Sequence, residues 1–167
     1  LAGEPAPGFL EAVRAICDRD GIVLVFDEII TGFRTHLGGA QAVYGVTPDL
    51  SSFGKAMANG MPISAIVGKR EIMRQMENVF VSGTFGGECL SLAAAIATIN
   101  KIEKVDAIER TKAAGRRLAE GIAEILKRHD RAENYGVSGP DWRPLVLPEG
   151  PVDRILAVSL LRQELNE

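Results

Sequence analysis

The feature that most constrains the fold of this chain is an apolar run that ends in two acids. Residues 22–26 read Ile-Val-Leu-Val-Phe, and Asp27 and Glu28 follow directly. A continuous and largely β-branched run predicts a strand buried on both faces, as in a parallel sheet that is covered by helices. Asp27 and Glu28 then lie at the carboxyl end of this strand.

The rest of the chain alternates between helical and extended patterns. Apolar spacing predicts helices over residues 7–20, 69–77, 88–101 and 105–129, and further short strands over residues 49–53 and 63–67. This alternation predicts an α/β fold with a mostly parallel, doubly wound sheet.

The amino-acid composition changes at residue 130, after which glycine and proline become frequent. We therefore predict a large domain over residues 1–129 and the start of a small C-terminal domain, including a final helix, over residues 130–167. Because the chain opens on Leu1 without a methionine and closes within a helical pattern, we expect it to be the central part of a longer protein.

Composition narrows the class of partner. The 167 residues carry a formal net charge of −3, which disfavours a nucleic-acid or membrane-surface binder, and no apolar run is long enough to cross a bilayer. Cys17 and Cys89 are far apart, and neither His36 nor His129 has a ligand at metal spacing. We expect a cytoplasmic protein with no metal site, no disulfide framework, and no nucleic-acid or membrane partner.

A lysine stands out because of its surroundings. Lys55 lies among small and apolar residues, and the nearest other charged residues are Asp49 and Lys69. Ligands of doubly wound sheets bind at the carboxyl ends of the strands, which is where Asp27 and Lys55 are both predicted to lie. Residues 82–87 form a glycine-rich loop before a helix, whose N-terminal amides favour a phosphate.

Pyridoxal phosphate requires a lysine amine, an acid opposite its ring nitrogen and donors for its phosphate. Each feature has an ordinary explanation by itself: a strand-end acid, a loop lysine, a turn with a helix cap. The three together, in this order and at one edge, favour a pyridoxal-phosphate site.

Three motifs resemble one protein family. Residues 25–34 (Val-Phe-Asp-Glu-Ile-Ile-Thr-Gly-Phe-Arg) closely resemble the aspartate motif of the class III pyridoxal-phosphate aminotransferases. Residues 47–50 (Thr-Pro-Asp-Leu), 53–55 (Phe-Gly-Lys) and 60–62 (Gly-Met-Pro) resemble the lysine motif, and residues 82–87 (Ser-Gly-Thr-Phe-Gly-Gly) the phosphate-contacting loop. Within the family, the chain is most similar to the glutamate-1-semialdehyde aminomutase branch.

This resemblance implies a fold-type-I transferase and a role for each matched residue. Lys55 is expected to form a Schiff base with the cofactor, Asp27 to pair with the pyridine nitrogen, and Ile29 to lie against one face of the ring. Thr84 is expected to bind the phosphate of the neighbouring subunit's cofactor in a homodimer.

The reaction implied is transfer of an amino group between an amino donor and a carbonyl acceptor. An intramolecular aminomutase is the alternative, but aminomutases of this branch carry a glycine run after the lysine, where this chain has Ala-Met-Ala-Asn-Gly over residues 56–60. A non-catalytic α/β binding module is the alternative of another class, although it has no chemical need for Asp27 and Lys55. The family's first phosphate loop and its ring-stacking aromatic residue would precede Leu1, so we expect the 167-residue chain alone to be inactive.

Overall fold

The computed structural model describes residues 4–149. Each helix and strand predicted in this range is present with shifted ends, and the structure adds a short helix and a two-stranded hairpin that were not predicted. The helices are α1 Phe9–Asp20, α2 Ala40–Tyr44, α3 Arg70–Met73, α4 Cys89–Lys104 and α5 Ala107–Arg128. The strands are β1 Val25–Asp27, β2 Leu50–Phe53, β3 Ala65–Gly68, β4 Tyr135–Ser138 and β5 Leu145–Pro148. Short 3-10 turns cover Lys55–Met57 and Arg74–Glu77.

The described residues form two compact units, one of residues 5–108 and one that contains residues 109–149. The boundary predicted after residue 129 concerns the domains of the complete protein and stays a prediction. The predicted final helix lies outside the described residues.

The first unit contains a sheet with the order β1-β2-β3. Strands β1 and β2 are parallel, with Asp27 opposite Ser52, whereas β2 and β3 are antiparallel, with Phe53 opposite Ala65. Strand β3 is thus an exception to the mostly parallel sheet that was predicted, because residues 54–64 are too few for a parallel crossover, which needs a dozen or more residues. The connection from β1 to β2 includes α2 and is long enough.

The burial predicted for the first strand is also wrong. Val25 is 55% exposed, and Ile22 and Val23, which precede β1, are about half exposed at 52% and 49%. Strand β1 lies at an edge of the sheet, and within the described residues only β2 pairs with it. The apolar run therefore forms a shorter strand than its composition predicts, and its side chains are less buried.

The core of the first unit lies beneath the turn that carries Lys55. Phe53, Met57 and Ala58 are buried together with Ala95, which α4 contributes. Because Met57 and Ala58 follow Lys55 closely in the chain, the burial of their side chains anchors the turn and leaves Lys55 itself exposed. The sheet and α4 thus fix the position of the Lys55 backbone.

In the second unit, β4 and β5 form an antiparallel hairpin next to α5 in the chain. The helix needs a glycine at position 115, because a Cβ there would overlap the Asp141 carbonyl oxygen and lie 3.5 Å from Pro144 Cδ. No helix within residues 4–149 is both long and apolar enough to cross a membrane.

Candidate active site

The carboxylate of Asp27 is held at the end of β1 by two donors. The Ile29 amide donates to Oδ1 over 3.0 Å, and the Ser52 hydroxyl donates to the same oxygen over 3.2 Å. The other oxygen, Oδ2, accepts no hydrogen bond from any residue in the described part of the chain, and the side chain is exposed. Asp27 therefore presents one fixed and available acceptor at the sheet edge.

Lys55 follows β2 and lies at the same edge, because Asp27 pairs in register with Ser52, which precedes Lys55 closely. Its backbone has a positive φ of 42°, a conformation that costs a residue other than glycine about 1–2 kcal/mol. The Met57 amide bonds to Gly54 O and the Asn59 amide to Lys55 O, so the turn is held in this shape. Within residues 4–149, Lys55 Nζ has no ion-pair or hydrogen-bond partner.

The side chain of Ile29 lies next to the lysine turn. A Cβ added to Gly54 would be in ordinary contact with Ile29 Cγ2, at 3.7 Å. The structure thus brings Asp27, Ile29 and the backbone beside Lys55 together, as the sequence predicted. The role of each residue stays a prediction.

Sequence reasoning missed the function of Glu28, which it grouped with Asp27 as a strand-end acid. Glu28 is 1% exposed and accepts hydrogen bonds from the Thr31 hydroxyl and from the amides of Ala40 and Gln41, both over 2.8 Å. A Cβ at Gly39 would lie 2.7 Å from the Glu28 carboxyl carbon, so glycine is needed there. Glu28 fastens the loop after β1 to the start of α2.

The loop of residues 82–87 is a turn, as predicted, and Thr84 within it is exposed. Within the described residues, no hydrogen bond joins this loop to Asp27, Ile29 or Lys55. The sequence provides the motif of Thr84, but its phosphate contact stays a prediction.

Two of the amides at the start of α4, which were predicted to be free for a phosphate, are bonded within the chain. Glu88 caps this helix and accepts from the amides of Leu90 and Ser91, both over 2.7 Å, and from the Ser91 hydroxyl over 2.5 Å. These bonds, led by the one from the Ser91 hydroxyl, hold the pKa of the Glu88 carboxyl below its usual value. The protein's own carboxylate already occupies the anion site of this helix.

A second buried acid, Asp49, fixes the opposite end of β2. Its carboxylate accepts from Lys69 Nζ over 2.7 Å, from Arg14 Nη1 over 2.9 Å and from the Leu24 amide over 2.7 Å. The bond from Lys69, followed by those from Leu24 and Arg14, holds the pKa of Asp49 well below its usual range. One side chain therefore joins α1, the approach to β1, and the start of α3.

A family model described as aminotransferase class-III matches residues 3–139 of the chain. The chain belongs to the class-III aminotransferase family. The aspartate, lysine and phosphate-loop motifs thus occur in a chain of a known family. The first two of them meet at one edge of the sheet.

Individual relatives of this class-III aminotransferase chain agree with the family match. Glutamate-1-semialdehyde 2,1-aminomutase 2 from Brevibacillus brevis is 46% identical over 127 residues, which are 74% of this chain and 30% of that protein. The FumI protein from Sphingopyxis sp. MTA144, solved in its PLP internal aldimine form, has a TM-score of 0.78 and 33% identity over 84% of this chain and 34% of that one. An omega-transaminase from Sphaerobacter thermophilus has a TM-score of 0.73 and 31% identity over 87% of this chain and 34% of that one.

The likeness to these solved structures confirms the predicted fold class, a fold-type-I transferase. The chain spans about a third of the length of the relatives that it matches. It carries the aspartate and lysine motifs of a class-III aminotransferase within this third.

The residues at the sheet edge fit pyridoxal phosphate. Asp27 offers an acceptor oxygen that no described donor uses, and Lys55 offers an amine that no described acid neutralises. A structural ion pair between the two would have left neither available. Residues 4–149 contain no cluster of His, Cys, Asp and Glu that could hold a metal ion.

Proposed function

We propose that the protein containing this chain is a pyridoxal-phosphate-dependent aminotransferase, which moves an amino group from an amino donor to a carbonyl acceptor. The parallel pairing of β1 and β2 carries the proposal, because it places the open oxygen of Asp27 and the unpaired amine of Lys55 at one sheet edge. Family membership supports the same assignment.

Each residue has a separate task. The amine of Lys55 serves as the nucleophile that binds the cofactor, and its turn is held so that the amine stays at the edge. Asp27 Oδ2 holds the proton on the ring nitrogen, while Oδ1 keeps its two protein donors. The side chain of Ile29 excludes water from one face of the ring. When it is bound, pyridoxal phosphate supplies an aldehyde for amines and a ring that accepts electron density.

Asp27→Asn tests this assignment. The amide can keep its oxygen toward Ser52 and Ile29, but its NH2 group then replaces Oδ2 and cannot accept a hydrogen bond from the protonated ring nitrogen. Turnover in the full-length protein should fall by about 10²–10³-fold, while borohydride still traps the cofactor on the protein. Near-normal turnover in this variant would exclude the role of Asp27.

An aminomutase is the second candidate, because the similar Brevibacillus brevis protein bears that name. We favour the aminotransferase because residues 56–60 depart from the glycine run of the aminomutases, and Met57 and Ala58 are buried in the core. An aminotransferase consumes a donor and an acceptor in two separable half-reactions, whereas an aminomutase converts a single substrate. Single-turnover assays with a donor alone distinguish the two, and unchanged kinetics on adding an acceptor would favour the mutase.

We further propose a homodimer in which Thr84 serves the cofactor of the neighbouring subunit. The support is the exposed apolar surface around this loop, where Phe80 is 95%, Val81 64% and Phe85 59% exposed. A cytoplasmic location and the absence of nucleic-acid and membrane partners stay predictions.

Mixed dimers test the exchange of Thr84. A heterodimer of Lys55→Ala and Thr84→Ala subunits has one intact site only if Thr84 acts across the interface. Random mixing should then restore about a quarter of the wild-type sites, since half of the dimers are mixed and each has one such site. If Thr84 acts within its own subunit, mixing restores nothing.

A further inference from the structure

The two oxygens of the Asp27 carboxylate have different surroundings, and Ser52 contributes to the difference. Both described donors, the Ile29 amide and the Ser52 hydroxyl, bond to Oδ1. The Ile29 donor lies only two residues after Asp27 in the chain, so it moves with the acid. Ser52 is the donor that ties the carboxylate to a different strand.

Ser52 is itself held on both sides of β2. Its carbonyl oxygen accepts from the Glu28 amide over 2.9 Å, and it pairs in register with Ile66 of the antiparallel strand β3. Its side chain lies on the same face as that of Asp27, because directly paired residues of neighbouring strands share a face. The hydroxyl therefore reaches Asp27 from a fixed position.

The adjacent serine has a different environment. Ser51 points to the other face, is 3% exposed, and accepts a hydrogen bond from Gln41 Nε2 over 3.2 Å. The two serines occur in the same strand and offer the same hydroxyl, but only Ser52 reaches Asp27. Ser51 is thus a matched control for substitutions at Ser52.

We propose that Ser52 is a positioning residue for Asp27, which fixes Oδ1 and so directs Oδ2 toward the ring nitrogen of the cofactor. This inference rests on the proposed function, since it assumes that Asp27 meets the ring. Without the hydroxyl, the carboxylate keeps its charge but is free to rotate, and part of the binding energy is spent on ordering it.

The test measures binding of pyridoxine 5′-phosphate to the full-length protein by fluorescence titration. This probe has the ring nitrogen and the phosphate but no aldehyde, so Lys55 cannot bond to it and the measurement isolates the ring contact. Ser52→Ala should raise the dissociation constant about fivefold. Ser52→Thr, which keeps the hydroxyl, and Ser51→Ala should stay within about twofold of the wild type.

A double-mutant cycle separates positioning from a general structural effect. In the Asp27→Asn background, Oδ2 is already lost, so adding Ser52→Ala should change the dissociation constant by less than about twofold. A structural role would give the same fivefold loss in both backgrounds, which would overturn the proposal. So would unchanged binding by Ser52→Ala, or failure of Ser52→Thr to restore it.

The outcome also distinguishes this inference from the proposed function. If Asp27→Asn weakens the probe and Ser52→Ala does not, the function stands and the positioning role is rejected. If the wild-type protein binds neither the probe nor pyridoxal phosphate, both are rejected.

Discussion

Asp49 illustrates how a single residue helps to position a site that lies at the other end of the same strand. It precedes β2, whereas Lys55 follows β2, and its buried carboxylate is bonded by Arg14, Leu24 and Lys69. The strand that places Lys55 is therefore anchored by charge at its start and by apolar packing at its end.

Asp49→Asn should lower the free energy of unfolding of the full-length protein by about 2 kcal/mol at neutral pH, because charge-assisted bonds to Arg14 and Lys69 are weakened. The pKa of Asp49 is depressed in the folded protein. Its contribution is thus complete above the ordinary aspartate pKa of about 3.9 and is lost as the pH falls below that value.

Urea unfolding at a series of pH values measures this effect. The difference between wild type and Asp49→Asn should shrink as the pH falls from 5 to about 3. The control is Asp20→Asn, since Asp20 forms an exposed pair with Arg19 and should contribute little at any pH. A difference that grows with acid would contradict the account.

At the residue scale, the sequence indicated Asp27 and Lys55 as candidate site residues but not Glu28 or Ser52. Asp27 and Lys55 could be proposed because the chemistry of the proposed cofactor requires those residue types in a recognisable order. Glu28 is satisfied by the amides of residues far along the chain, and Ser52 matters only through strand register. Neither contact has a local signature.

At the scale of elements, the predicted helices and strands are present. The sequence did not predict the direction of β3 or the hydrogen-bond partners at the start of α4. The third strand is antiparallel because its connection is short, which the spacing of residues 54–64 could have shown. Two amides at the start of α4 are bonded by Glu88 instead of being free, because a glutamate next to a helix start can fold back onto its amides. Sequence periodicity does not report which partners an element acquires.

Two glycines of α5 provide a test at this scale. Gly115→Ala should destabilise the second unit, because its Cβ would overlap the Asp141 carbonyl oxygen, whereas a Cβ at Gly121 meets nothing within 4 Å. Gly121→Ala should instead stabilise the helix by up to about 1 kcal/mol, the difference in helix propensity.

Amide hydrogen exchange along α5, β4 and β5 measures both effects locally. We expect faster exchange in Gly115→Ala and equal or slower exchange in Gly121→Ala. The same response to both substitutions would show that the close approach to Asp141 does not govern the packing of this unit.

At the scale of the whole molecule, large apolar side chains are exposed on both units. They include Val25 and Ile66 on the sheet, Phe80 and Leu90 near the loop of Thr84, and Leu118 on α5. Exposed apolar surface of this extent is typical of surfaces that pack against other protein or aggregate. The chain also spans about a third of its relatives.

We therefore predict that the 167-residue chain, produced alone, self-associates and binds pyridoxal phosphate weakly or not at all. Light scattering and an absorbance titration test this, with the full-length protein as the control that should bind stoichiometrically. A monodisperse 167-residue chain that binds the cofactor and turns over substrate would contradict the prediction.

The assignment of Lys55 is the central claim, and mapping the cofactor adduct tests it most directly. The full-length protein is incubated with pyridoxal phosphate, reduced with borohydride and digested, and the modified peptide is identified by mass spectrometry. We predict a single adduct on Lys55, which is absent in Lys55→Ala and retained in Lys69→Ala, because Lys69 is paired with Asp49. An adduct on Lys69 or any other lysine, or one that persists in Lys55→Ala, would contradict the account.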